Sequence, residues 1–188
     1  MQAADIEKYL AQLGGELQTR GIEQPLHILM IGGAFMLLLA HSSRSTDDVD
    51  FFWLDGNDQT LEQAISLWHE SVQAVAVNND LEIDWLNYMT HLLMYGQVTL
   101  PKGRVWKKFG PLHIHVPAKE YVLALKIIAG RGKDIVDSRV LLKQTKIRTR
   151  EQAQALLDRY IPPLTQKVNA DGIAKSFKEL FHSYSISP

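Results

Sequence analysis

From Leu26 to Ala40 the chain is apolar at nearly every position, and Gly32-Gly33 breaks that run in the middle. Leu26-His-Ile-Leu-Met-Ile31 has the length and composition of a buried strand. Ala34–Ala40 is apolar throughout and long enough for a short buried helix. A strand that hands over to a helix through two glycines makes a tight turn. Without side chains there, a phosphate can approach the backbone. The free N–H groups and positive end of the following helix favour an anion at the same place. Alone, the pair is more often no more than a turn.

The segments around this unit follow the periodicities of helices and strands. Residues 4–20 place Ile6, Tyr9, Leu10, Leu13 and Leu17 at helical spacing and stop at Gly21. Val49–Leu54 reads as a second strand closed by a turn at Asp55-Gly56-Asn57. Leu61–Val77 reads as a helix, and Leu81–Gly96 as helical in part. Val105–Phe109 and Leu112–Val116 form a hairpin around Gly110-Pro111. Ala118–Ala129 and Asp134–Leu142 are helices separated by Gly130-Arg-Gly132. Thr149-Arg-Glu-Gln152 matches a capping box for a helix reaching about Tyr160, and Asp171–Tyr184 is a last amphipathic helix. The expected fold is α/β (α+β): a mixed sheet flanked by helices over 1–145, with a helical C-terminal extension over 146–188.

Composition excludes several function classes. There are no cysteines, which removes disulfides, thiolate zinc sites and cysteine nucleophiles. Twenty Lys+Arg against 21 Asp+Glu give a formal charge of -1, so no broad attraction to nucleic acid or anionic membrane is expected. Lys143, Lys146, Arg148 and Arg150 form a local basic stretch that reads first as solvated surface. No apolar run reaches the length of a membrane span, and the first residues lack a signal-peptide layout. The expectation is a cytoplasmic protein without a membrane partner.

The chemistry concentrates in Thr46-Asp47-Asp48-Val49-Asp50-Phe51-Phe52. Side chains alternate along a strand, so Asp48 and Asp50 point together while Val49 and Phe51 enter the core. Two adjacent carboxylates on a strand rich in aromatic residues call for a compensating cation. Mg²⁺ suits them, as a hard ion that takes one or two carboxylates plus substrate phosphates.

Gly32-Gly33-Ala34, a hydrophobic helix, and then Arg44-Ser45-Thr46-Asp47-Asp48-Val49-Asp50 resemble the signature of the nucleotidyltransferase superfamily. The chain resembles small bacterial nucleotidyltransferase-like proteins related to the abortive-infection toxins of toxin–antitoxin pairs. Those also carry a lysine-bearing helix followed by Arg-x-Lys-Asp-x-x-Asp, which here reads Lys126 and then Arg131-Gly-Lys133-Asp134-Ile-Val-Asp137. The resemblance spans roughly residues 25–142.

It implies a nucleotidyltransferase-like sheet and a nucleotide site. Asp48 and Asp50 would hold Mg²⁺, Gly32 and Gly33 would receive the phosphate tail, and Arg44 and Thr46 would shape the loop before the strand. Lys126, Arg131 and Lys133 would neutralise phosphate oxygens. Asp134 and Asp137, three apart on a helix, would orient the lysines or complete the metal site. Active members of the superfamily usually add a third carboxylate from a later strand. Here Leu112-His113-Ile114-His115-Val116 carries two histidines instead, which are metal ligands, a base, or half-exposed sheet residues. Asp84-Trp85-Leu86-Asn87 is similar to a Trp-Leu-Asn stretch of the same relatives, with core packing as the reading for Trp85. Two functions follow. One is transfer of a nucleoside monophosphate from a nucleoside triphosphate to an RNA or protein acceptor. The other is a catalytically degenerate fold that binds a nucleotide or neutralises a partner, as an antitoxin does.

Overall fold

The computed structural model of the chain describes residues 1–43, 45–54 and 59–181. Its contacts divide the chain into two compact units, Met1–Leu93 with Lys102–Pro117 and Met94–Pro101 with Ala118–Pro188. The helices expected over 118–142 therefore group with the C-terminal helices, although the sequence places them with the core. The expected turn at Asp55-Gly56-Asn57 lies outside the described residues, as do Arg44 and the end of the helix expected to reach Tyr184.

The first unit is a five-stranded mixed sheet with helices. In chain order it holds α1 (Ala3–Thr19), β1 (Leu26–Met30), α2 (Gly32–Leu38), β2 (Val49–Trp53), α3 (Gln59–Asn79), β3 (Leu86–Asn87), α4 (Met89–Met94), β4 (Arg104–Phe109) and β5 (Leu112–Val116). The strand order is β3-β2-β1-β5-β4. β1 runs antiparallel to β2 with Leu29 opposite Phe52, and parallel to β5 with His27 opposite His113.

This register sorts the side chains by face, because neighbours across strands share a side. Val49, Phe51 and Trp53 fall with Ile28, Met30, Ile114 and Val116. Asp50 and Phe52 fall on the other face, with His27, Leu29, His113 and His115. The first face carries the core under α1 and α3. The Trp68 ring of α3 packs 4.6 Å from Trp53 and 5.6 Å from Phe51. Gly14 of α1 lies flat on β4, where an added Cβ would come 2.2 Å from the carbonyl oxygen of Phe109.

One segment departs from the sequence expectation. Residues 81–96, expected as partly helical, give a two-residue strand followed by the short α4. Trp85 explains it: the buried ring donates from Nε1 to Val72 O at 3.1 Å, and its carbonyl accepts from Val49 N at 2.7 Å. These bonds hold Leu86 and Asn87 extended beside β2.

The second unit is helical: α5 (Lys119–Ala129), α6 (Gly132–Gln144), α7 (Arg150–Tyr160), α8 (Pro163–Val168) and α9 (Ala170–Phe181). The expected capping box starts α7, with Gln152 N donating to Thr149 Oγ1 at 3.3 Å and Thr149 N donating to Gln152 Oε1 at 3.2 Å. Gly130 ends α5 in the left-handed conformation, φ 59°. There α5 and α9 approach so closely that a Cβ on Gly172 would lie 2.8 Å from Ile128 O. Among the described residues no helix is long and apolar enough to cross a membrane.

Candidate functional site

The glycine turn and the strand acids meet. Gly32 has φ +64°, and a Cβ placed on it would lie 2.2 Å from Asp50 Oδ2. A Cβ on Gly33 would lie 2.2 Å from Thr46 Oγ1. That hydroxyl is 3.3 Å from Asp48 Oδ1 and donates to Asp48 O at 3.1 Å. Backbone pairing anchors the arrangement, since Ile31 N donates to Asp50 O at 2.9 Å. Asp48 and Asp50 are both half-buried, with buried Val49 between them, while Asp47 is exposed. The space beside both glycines is thus filled by the acid-bearing strand and the loop before it.

Asp50 is held from the opposite side by β3 and α4. The Thr90 hydroxyl donates to Asp50 Oδ1 at 2.8 Å, and Asn87 Nδ2 lies 3.5 Å from the same oxygen. Asn87 is the parallel cross-strand neighbour of Asp50. Neither Asn87 nor Thr90 was singled out by sequence for this part; the Trp-Leu-Asn stretch was the only signal near them. Among the described residues no three His, Asp or Glu side chains group as a metal-ligand set. A hydroxyl lies against each carboxylate, Thr46 beside Asp48 and Thr90 beside Asp50.

β5 supplies no carboxylate. His113 and His115 share a face, as the alternation predicts, and His27 of β1 joins them. His27 Nδ1 and His115 Nε2 are 2.8 Å apart, in hydrogen-bond contact. The His27 ring stands edge-on to His113 with centroids 4.8 Å apart. His27 escaped the sequence reading, yet a signal was present. β1 and β5 both begin Leu-His-Ile, and these tripeptides pair residue for residue.

The Arg-x-Lys-Asp-x-x-Asp residues belong to the second unit, where Lys126, Arg131, Asp134 and Asp137 cluster. Lys126 is buried, with 6% of its surface exposed, and its Nζ lies 2.9 Å from both Asp134 Oδ1 and Asp137 Oδ2. Arg131 donates from Nε to Asp134 Oδ2 at 2.6 Å and is itself exposed. Burial alone would raise the Asp134 carboxyl. The hydrogen bond from Arg131 and the charge of Lys126 outweigh it and hold that carboxyl below its ordinary value. Two cations face two carboxylates, so the cluster is neutral. Of the two lysines, Lys126 is the one that lies against Asp134 and Asp137. Lys133, at the start of α6, is exposed.

Neither a protein-family model nor any curated protein sequence matches the chain.

Proposed function

We propose that the protein is a Mg²⁺-dependent nucleotidyltransferase that moves a nucleoside monophosphate from a nucleoside triphosphate to an acceptor hydroxyl on RNA or protein. The observation that carries this reading is the contact chain from Asp50 through Gly32-Gly33 and Thr46 to Asp48. It brings two carboxylates to one glycine turn. It is supported by the resemblance of the same residues to the nucleotidyltransferase signature.

Asp48 and Asp50 would hold Mg²⁺, which would supply charge neutralisation to the phosphates and to the charge developing at the transferred phosphorus. The chain's own residues do the rest. Asp48 and Asp50 present the carboxylates. Thr46 fixes Asp48, and Gly32-Gly33 keep bulk away from the turn. In the transfer, the acceptor oxygen forms a bond to the α-phosphorus as the bond to the bridging oxygen breaks. Pyrophosphate leaves, and the acceptor proton passes to a nearby base or water. Of the second unit's cations, exposed Lys133 suits solvent-borne phosphate, whereas Lys126 and Arg131 are already paired with Asp134 and Asp137.

One observation favours a second reading, a nucleotide-binding or partner-neutralising module without turnover. The strand β5 offers histidines engaged with His27 where active relatives carry an acid. Calorimetry with ATP, GTP, CTP and UTP, with and without Mg²⁺, tests both. Metal-dependent binding that Asp48→Asn and Asp50→Asn abolish is expected. Binding of no nucleotide in the presence of metal refutes both readings. Incubation with α-labelled nucleotide and cell extract then separates them: a labelled acceptor identifies the transferase, and binding without label identifies the module.

A further inference from the structure

A threonine hydroxyl in the first turn of a helix ordinarily bonds local backbone groups. Thr90 instead reaches across the unit to Asp50, a residue 40 positions away, and donates to Oδ1 at 2.8 Å. The sequence between them is organised to deliver it. Trp85 is tied to Val72 and Val49, Leu86 pairs with Val49, and Asn87 pairs with Asp50. Asn87 Oδ1 then accepts from Met89 N at 2.8 Å, which starts α4 and places Thr90 one residue further on. At 3.5 Å the Asn87 amide adds little to the carboxylate directly, so its work is to seat the helix.

A carboxylate free to turn about its last torsion can present either oxygen. A charge-assisted hydrogen bond to one of them removes that freedom. With Oδ1 bonded to Thr90, Oδ2 is the oxygen directed at the Gly32 turn. Resting on the metal–nucleotide reading above, we infer that Thr90 is a positioning residue for Asp50. It sets which carboxylate oxygen faces the turn where Mg²⁺ and the triphosphate bind, and Trp85 with β3 is the segment that brings it there.

The test compares Thr90→Val, which keeps the shape and loses the hydroxyl, with Thr90→Ser, which keeps the hydroxyl. Mg²⁺-dependent nucleotide affinity should fall about tenfold in T90V and return to within about twofold in T90S, the scale of one hydrogen bond to a charged group. If the natural chain binds Mg²⁺–nucleotide and T90V binds it equally well, the positioning role is overturned and the nucleotidyl reading stands. If the natural chain binds no nucleotide, the functional reading fails and takes this role with it.

Discussion

Gly32→Ala adds one methyl group at the centre of the site. Two costs follow. A residue with a Cβ in the left-handed region costs about 1–2 kcal/mol, and Gly32 sits there at φ +64°. The new Cβ would also stand 2.2 Å from Asp50 Oδ2 and 2.9 Å from its Cβ and Cγ. Asp50 lies on β2, between β3 and β1, so its backbone cannot move aside. Relief requires its carboxylate to swing from Thr90, forfeiting a hydrogen bond to a charged group worth about 1.5–3 kcal/mol. A combined loss of about 3 kcal/mol lowers Tm by about 6–12 °C for a chain of this size. Thermal unfolding by circular dichroism, read beside Mg²⁺-dependent nucleotide binding, checks it. Gly14→Ala and Gly15→Ala calibrate the result. At Gly14 the Cβ would meet the Phe109 carbonyl oxygen at 2.2 Å, so stability falls while binding survives in the folded protein. At exposed Gly15, within α1, nothing lies within 4 Å, so the same change stabilises by about 1 kcal/mol. A G32A variant that melts with the natural chain, or binds nucleotide as it does, refutes the reasoning.

Lys126→Met leaves Asp137 buried without its ammonium partner and strips Asp134 of one of two cations. Urea unfolding should show a loss of about 3–5 kcal/mol, the scale for breaking one side of a buried ion pair. The lowered Asp134 carboxyl also sets a pH dependence. Its stabilisation is complete above the ordinary value of 3.8 and is lost as pH falls through the lower folded value, and Asp134→Asn should flatten that acid slope. Tyr121→Phe should leave stability unchanged or raise it by about 1 kcal/mol, since the buried hydroxyl has no hydrogen-bond partner among the described residues. Burial, and then the neighbouring Tyr160, push that phenol above its ordinary 10.0, so it stays neutral across the working range. A loss above about 1 kcal/mol by urea unfolding would reveal a partner for the hydroxyl.

Elements whose own residues carry a period were legible in the sequence. The Leu26–Ile31 strand, the Val49–Leu54 strand, the Gly110-Pro111 hairpin and the Thr149–Gln152 capping box all stand near their expected places. Elements that exist because of a partner were not. Leu86–Asn87 is only two residues, and its strand character comes from Val49 and Asp50 beside it. α8 follows Pro162-Pro163, a pair that reads as a helix break, yet Pro163 is also an allowed first helical residue. The spacing of Asp134 and Asp137 showed a shared helix face but not which cation lies against it. That choice depends on how Gly130 turns the chain, which puts Lys126 and Arg131 against the carboxylates and Lys133 outside.

The same distinction bears on how much weight the two motifs carry. In sequence, Gly32-Gly33 and Asp48-Val49-Asp50 look like independent signals, one for phosphate and one for metal. In the structure the acid at Asp50 occupies the room that a side chain at Gly32 would take, and Thr46 does so at Gly33. The glycines are therefore required first by the close approach of the acid-bearing strand, whether or not a phosphate ever follows. The motifs form one physical unit, and finding both adds less than finding two. What does add independently is Thr90, because a donor delivered to Asp50 from a third element is not needed to close the turn. A strand acid serving only to fill the glycine turn would keep its place without that bond, so the T90V comparison weighs function against packing at this one carboxylate.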